Sequence, residues 1–127
     1  MTSPALGDLE ALQGCWEQVA LEVDGLARPD DDLSPAGSTT VFIGNKFLVR
    51  AADGGQLLEG IFKLDAAANP KQVDWIDTVG PDAGKVLPAI YKLEGDRFVF
   101  VAGDADAPRP TRFCTGPGQV MRTFDRR

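Results

Sequence analysis

From Cys15 to Asp125 the sequence is a succession of short apolar runs broken by Gly, Asn, Asp and Pro, and this punctuation constrains the fold more than any other feature. The runs, rich in Val, Ile, Phe and Leu, fall at 15–23, 39–43, 46–52, 57–64, 72–78, 85–93, 97–101, 111–115 and 119–125. Segments of this length with these residues are strands rather than helices. Several links are tight: Gly44-Asn45, Gly95-Asp96 and Asp53-Gly54-Gly55. Such residues accept the positive φ that two-residue hairpin turns require, so successive runs pair as hairpins in an up-and-down meander. Eight or nine short strands must close into a barrel or split into a sandwich to remove their edges. Tight links favour the barrel, because sandwiches usually need Greek-key crossovers.

Residues 4–12 carry a different period. Leu6, Leu9 and Leu12 recur at helical spacing and Pro4 suits a first turn, which predicts a short N-terminal helix. In the run 57–64, Leu58, Gly60, Phe62 and Leu64 share one face, and in 85–93, Leu87, Ala89, Tyr91 and Leu93 do. The first strand is out of step: Trp16 is in phase with Gln18 and Glu22, whereas Val19, Leu21 and Val23 form its apolar face. A bulge between Trp16 and Val19, or a tryptophan plugging the barrel end, reconciles the two patterns. The longer breaks, 26–37 and 102–110, hold Pro and acidic residues and are expected as surface loops. Residues 1–127 make one domain, an all-β, eight-stranded antiparallel barrel with a short helix in front.

Composition removes several functions. There are 13 Lys and Arg against 19 Asp and Glu, a net charge of -6, which disfavours nucleic-acid partners. The basic cluster Arg109, Arg112, Arg122, Arg126 and Arg127 reads as a solvated rim around the carboxyl end. With no histidine, Ser-His-Asp and Cys-His catalysis cannot be assembled within this chain, and the commonest metal and haem ligand is missing. No catalytic constellation, metal site or cofactor is expected. Asp74 and Asp77, or Glu94 and Asp96, read as solvated turn carboxylates; the acidic run 30–32 lacks the later calcium ligands, and Gly80–Lys85 lacks phosphate-loop spacing. The first residues have neither a basic nor an apolar signal region, and no stretch reaches membrane-spanning length. A cytoplasmic location follows as an expectation, with Cys15 and Cys114 as free thiols.

Helix, Gly14-x-Trp16 at the head of strand one, and a closing strand with Arg122 in "QVMRTF" together resemble the lipocalin and wider calycin pattern. That resemblance implies that Trp16 closes one barrel end with Arg122 packed across its indole. The blocks "LQGCWEQVALEVDG", "EGIFKLD", "GPDAGKVLPAIYKLEGDRF" and "RPTRF" are also similar, in order and spacing from about residue 9 to 125, to a lipocalin-like family of uncharacterised bacterial domains abundant in planctomycetes. This second resemblance implies a fold and no activity. The sequence departs from it at Gln18, where an aliphatic residue is expected, and at Cys15, where a small polar one is.

A barrel of eight strands holds one small ligand or is filled by its own side chains. The first reading makes the domain a binding module for a small, mostly apolar molecule. Its candidate lining is Trp75, Tyr91, Phe62 and Phe100, with Arg112 or Arg122 available to a carboxylate. The alternative is a packed barrel acting through its surface or as a homodimer, its interior filled by Phe47, Phe62, Trp75, Tyr91, Phe98, Phe100 and Phe113.

Overall fold

Helix α1 (Pro4–Leu12) leads into nine strands in the computed structural model, which describes residues 4–28, 37–80 and 83–127, with side chains from residue 7 onward. Leu6 as a side chain, the acidic run 30–32, Pro81 and Asp82 therefore lie outside the described residues. The strands are β1 (Gly14–Val23), β2 (Leu26–Arg28), β3 (Thr39–Ile43), β4 (Lys46–Arg50), β5 (Gln56–Asp65), β6 (Gln72–Asp77), β7 (Val86–Glu94), β8 (Arg97–Gly103) and β9 (Gln119–Arg126). From β3 to β9 every strand pairs antiparallel with the next in sequence, and β1 joins β3 on one side and β9 on the other. The result is a closed eight-stranded antiparallel barrel; β2 is a three-residue flap folded back on the end of β1.

Two sequence expectations need correction. The run 111–115 is not a strand but part of an irregular segment, 104–118. Pro108, Pro110 and Pro117 deny that segment ladder donors. It lies instead against the outside of the barrel. Ile90 and Val101 face each other on β7 and β8, point outward by alternation, and are nonetheless only 1% and 0% exposed. Phe113, expected inside, belongs to this outer layer, with the Lys92 ammonium 4.2 Å from its ring centre. Thr115 donates through its amide and hydroxyl to Glu22, and the Gly118 amide donates to Asp24, tying the segment to the β1–β2 hairpin. Those two bonds from Thr115 hold the Glu22 carboxyl below its usual pKa.

The second correction concerns the first strand. A bulge is present, but between Gln18 and Ala20 rather than between Trp16 and Val19. Val19 is the extra residue and is 47% exposed. Trp16 and Gln18 precede the bulge and Leu21 follows it, so both phases of the strand face inward in turn.

Alternation fills the barrel with Phe42, Phe47, Phe62, Trp75, Phe98 and Phe124. Gly60 makes room for this. Its partner across the β4–β5 ladder is Phe47, and a Cβ at Gly60 would stand 2.5 Å from that ring and 2.5 Å from the Ile76 carbonyl. An aromatic ring lies where a side chain would otherwise be, which is how one strand accommodates a bulky neighbour.

Candidate functional site

Up-and-down connectivity sorts the loops onto two ends. The β3–β4, β5–β6 and β7–β8 turns share one end with α1, the start of β1 and the finish of β9. The other end carries the β1–β2 hairpin, the β4–β5 and β6–β7 connections and the segment 104–118. The first end is sealed and the second opens into a cavity.

Trp16 is the seal. It is wholly buried, its Nε1 donates to the Leu12 carbonyl at 2.7 Å, and its ring packs edge-on against Phe98. The guanidinium over its indole, 4.3 Å from the ring centre, is that of Arg126, not Arg122. The cause is register: antiparallel pairing sets Trp16 opposite Arg126, while Arg122 lies opposite Leu21. Four residues of strand put Arg122 about 13 Å further along. Arg126 also donates to the carbonyls of Ala11 and Gln13 at the helix C-terminus and pairs with Asp96. Gly14 turns the chain from helix into strand at a φ of 113°, a conformation that L side chains rarely adopt. Gln13 locks the helix end to the β3–β4 turn, its amide both donating to and accepting from Gly44.

Tyr91 sits at this sealed end as well. Its hydroxyl donates to Asp8 of α1 at 2.6 Å, and Lys71 donates to the same carboxylate oxygen at 2.9 Å. Burial first, then the bond to Asp8 and the charges of Asp8 and Asp65, push the Tyr91 pKa far above that of a free phenol. The partner of the buried phenol is thus a helix carboxylate, and Tyr91 is not part of the cavity wall.

The open end holds a cavity of about 210 Å³ that communicates with solvent. Its floor and walls are mainly aromatic and aliphatic: Phe42, Phe47, Trp75, Phe100, Leu87 and Phe124. Trp75 and Phe100 meet with ring centres 4.8 Å apart, and Trp75 contacts Phe42, Phe47, Phe62 and Phe98 besides. Polar groups stand among them at Thr40, Asp77, Asp104 and Arg122. Gln18 accepts from Arg122 at 3.1 Å, which gives the amide a partner on the inward face of β1. The Trp75 indole N–H is buried and has no hydrogen-bond partner among the described residues.

Of the five residues expected to line a ligand site, Trp75 and Phe100 do border the cavity. Phe62 is 3% exposed and packs in the core beneath, Tyr91 belongs to the other end, and Arg112 is an exposed residue of the outer segment. Among the polar residues of the cavity, Asp77 was missed by the sequence reading. Asp77, read as a solvated turn carboxylate, is only 6% exposed and faces inward. Its parity with Val73 and Trp75 on β6 carried that signal. Of the two places offered for Arg122, across Trp16 or facing a ligand carboxylate, it takes the cavity and leaves Trp16 to Arg126.

The expected basic rim does not form. Arg109 lies on the outer sheet face, bonded to Asp74 at 2.6 Å and to the Val73 and Ala89 carbonyls, while Arg127 approaches Glu17. Cys15 and Cys114 are both free. Cys15 opens β1, whereas the neighbour of Cys114, Thr115, bonds Glu22 about 23 Å along that strand. Among the described residues no group of three or more Cys, Asp and Glu is arranged to hold a metal ion, and no helix is long and apolar enough to cross a membrane. No family model, curated protein or solved structure matches the chain.

Proposed function

We propose that this barrel is a binding module for a small, mostly apolar molecule held in the open-end cavity. The observation that carries the reading is the cavity itself, about 210 Å³ of space walled by Phe42, Phe47, Trp75 and Phe100 in a barrel whose other end is packed shut. Apolar walls with a few convergent polar groups are what small-molecule sites have in common, and this one is at the lower end of their size range. The same reading takes the chain as a cytoplasmic, lipocalin-like bacterial domain, the group that its Gly14-x-Trp16 opening and block order resemble.

Native mass spectrometry of the protein purified from its own host is expected to show a non-covalent small-molecule adduct. In vitro, apolar fluorophores are expected to bind saturably, and Ala102→Phe, which fills the cavity from β8, to abolish the response. A screen of fatty acids and fluorophores that stays flat for the wild-type barrel refutes the proposal.

Self-association is a second reading, and one observation favours it. β2 pairs only with β1 among the described residues, all three of its residues are exposed, and Leu26 is 63% exposed. An edge strand of this kind pairs readily with another chain. Sedimentation velocity decides: a dimer that Leu26→Lys dissociates supports this reading, and a concentration-independent monomer removes it.

A further inference from the structure

The charged residues of the cavity indicate the charge of its occupant, a step that rests on the binding reading above. Asp77 and Asp104 are acidic and Arg122 is basic, so the lining carries a formal excess of negative charge.

Position sharpens that balance. Asp77 ends β6, one inward step beyond Trp75, and is buried against the cavity. Asp104 follows the last residue of β8 and is exposed at the mouth. Arg122 starts from deeper in the barrel. It pairs across the β8–β9 ladder with Phe100, which lies about 13 Å of strand before Asp104, and its guanidinium donates to Gln18 on β1. The two carboxylates thus come from the mouth side, while the floor is built of Phe42, Phe100 and Phe124.

Aromatic walls strengthen the preference. A cation within about 6 Å of a ring centre is attracted by the negative ring face, most strongly where water is excluded. Trp75, the inward neighbour of Asp77, and Phe47, 5.4 Å from it, supply such rings beside a carboxylate. An anion meets the opposite arrangement, with ring faces and carboxylates on its way to one guanidinium. The net charge of -6 acts in the same sense by drawing cations toward the protein. Size sets the rest. An apolar space of about 150 Å³ is filled by benzene, so about 210 Å³ takes one ring with a short chain.

We infer that the cavity binds a small hydrophobic amine in its protonated form, the apolar group on the aromatic floor and the ammonium at the mouth against Asp77 and Asp104. A fatty acid or other carboxylate is disfavoured by the same groups.

Three probes of similar size test this by calorimetric titration at pH 7: 2-phenylethylamine, a cation; 2-phenylethanol, neutral; and 3-phenylpropionate, an anion. The amine is expected to bind about tenfold more tightly than the alcohol, and the carboxylate more weakly than either. Asp104→Asn, at an exposed position, is expected to reduce the advantage of the amine about threefold and leave the alcohol unchanged. Asp77→Asn is expected to reduce it further. Equal affinities for amine and alcohol, or the carboxylate binding most tightly, overturn the inference while the binding reading stands. An amine advantage that survives both substitutions overturns it likewise. If none of the three binds, the inference falls, and the fluorophore titration alone then decides the binding reading. Should Asp77→Asn not fold, the wild-type series and Asp104→Asn still decide.

Discussion

Arg126 offers the most direct test of how the barrel is sealed. Its guanidinium covers Trp16 at 4.3 Å, and the same group donates to the carbonyls of Ala11 and Gln13. Those carbonyls belong to the last turn and exit of α1, where no intrahelical donor remains. Cation–π stacking contributes about 0.5–2 kcal/mol, and a charged hydrogen bond to carbonyl about 1.5 kcal/mol or more. The ion pair with Asp96 adds little, because that carboxylate is 83% exposed. One guanidinium makes all these contacts, so they do not add fully, and Arg126→Met is expected to cost about 2–4 kcal/mol. With a urea slope of about 1–3 kcal/mol per molar, the unfolding midpoint falls by roughly 1–2 M.

The assay is equilibrium urea unfolding of the wild type, Arg126→Met, Trp16→Phe and the double variant. Coupling between the two sites is expected at about 0.5–2 kcal/mol, the part that stacking supplies. Arg122→Met removes an arginine from the same face of the same strand and serves as the comparison. It alters the cavity wall and leaves the helix exit intact, so amide exchange in residues 7–13 accelerates in Arg126→Met but not in Arg122→Met. An Arg126→Met protein within about 0.5 kcal/mol of wild type, or zero coupling to Trp16, shows that the seal does not work in this way.

Three further outcomes follow from the packing. Trp16→Ala leaves a void at the sealed end and is expected to cost about 3–5 kcal/mol in the same unfolding assay; near-native stability contradicts the plug. Gly60→Ala drives a methyl against the Phe47 ring and the Ile76 carbonyl, and a loss of about 1–3 kcal/mol is expected, with a native-like midpoint ruling out the close approach. Tyr91 is the sole tyrosine, so tyrosinate absorbance reports it alone. Its folded-state pKa is raised, so the stability that protonated Tyr91 contributes is complete below about pH 10, where the unfolded phenol titrates, and declines as pH rises above that value. Tyrosinate should therefore appear only together with loss of the native circular dichroism signal; a midpoint near pH 10 in a still-folded protein contradicts the bond to Asp8.

What the sequence conveyed and what it withheld divide along a physical line. Turn chemistry is local, and the Gly-Asn and Gly-Asp links announced the hairpins and, through them, the barrel. The helix boundaries were likewise local, fixed by leucine spacing and by Gly14. The segment 111–115 misled because "TRFCT" has strand composition, while the three prolines around it act on pairing rather than on propensity. β2 went unnoticed because three residues hold too little pattern, although Asp24-Gly25 marked its turn. The position of the bulge was hidden for another reason: Gln18 looks misplaced on an inward face until its partner, Arg122, is known from 104 residues away.

Arg122 and Arg126 show why a site is harder to read than a fold. Both lie on β9, four residues apart and hence on the same face of the strand, and alternation cannot tell them apart. Only the β1–β9 register does, by setting Trp16 against Arg126. That single choice sends one guanidinium to the indole and the helix exit and the other to the cavity beside Phe124 and Asp77. Shifting the ladder by four residues would exchange their roles with no change in composition or hydrophobic pattern. The polar character of the cavity is therefore set by long-range pairing, whereas its aromatic wall follows from the parity of Trp75 on β6 and Phe100 on β8. The wall is readable from one strand at a time; the charges that face it are readable only from two strands at once.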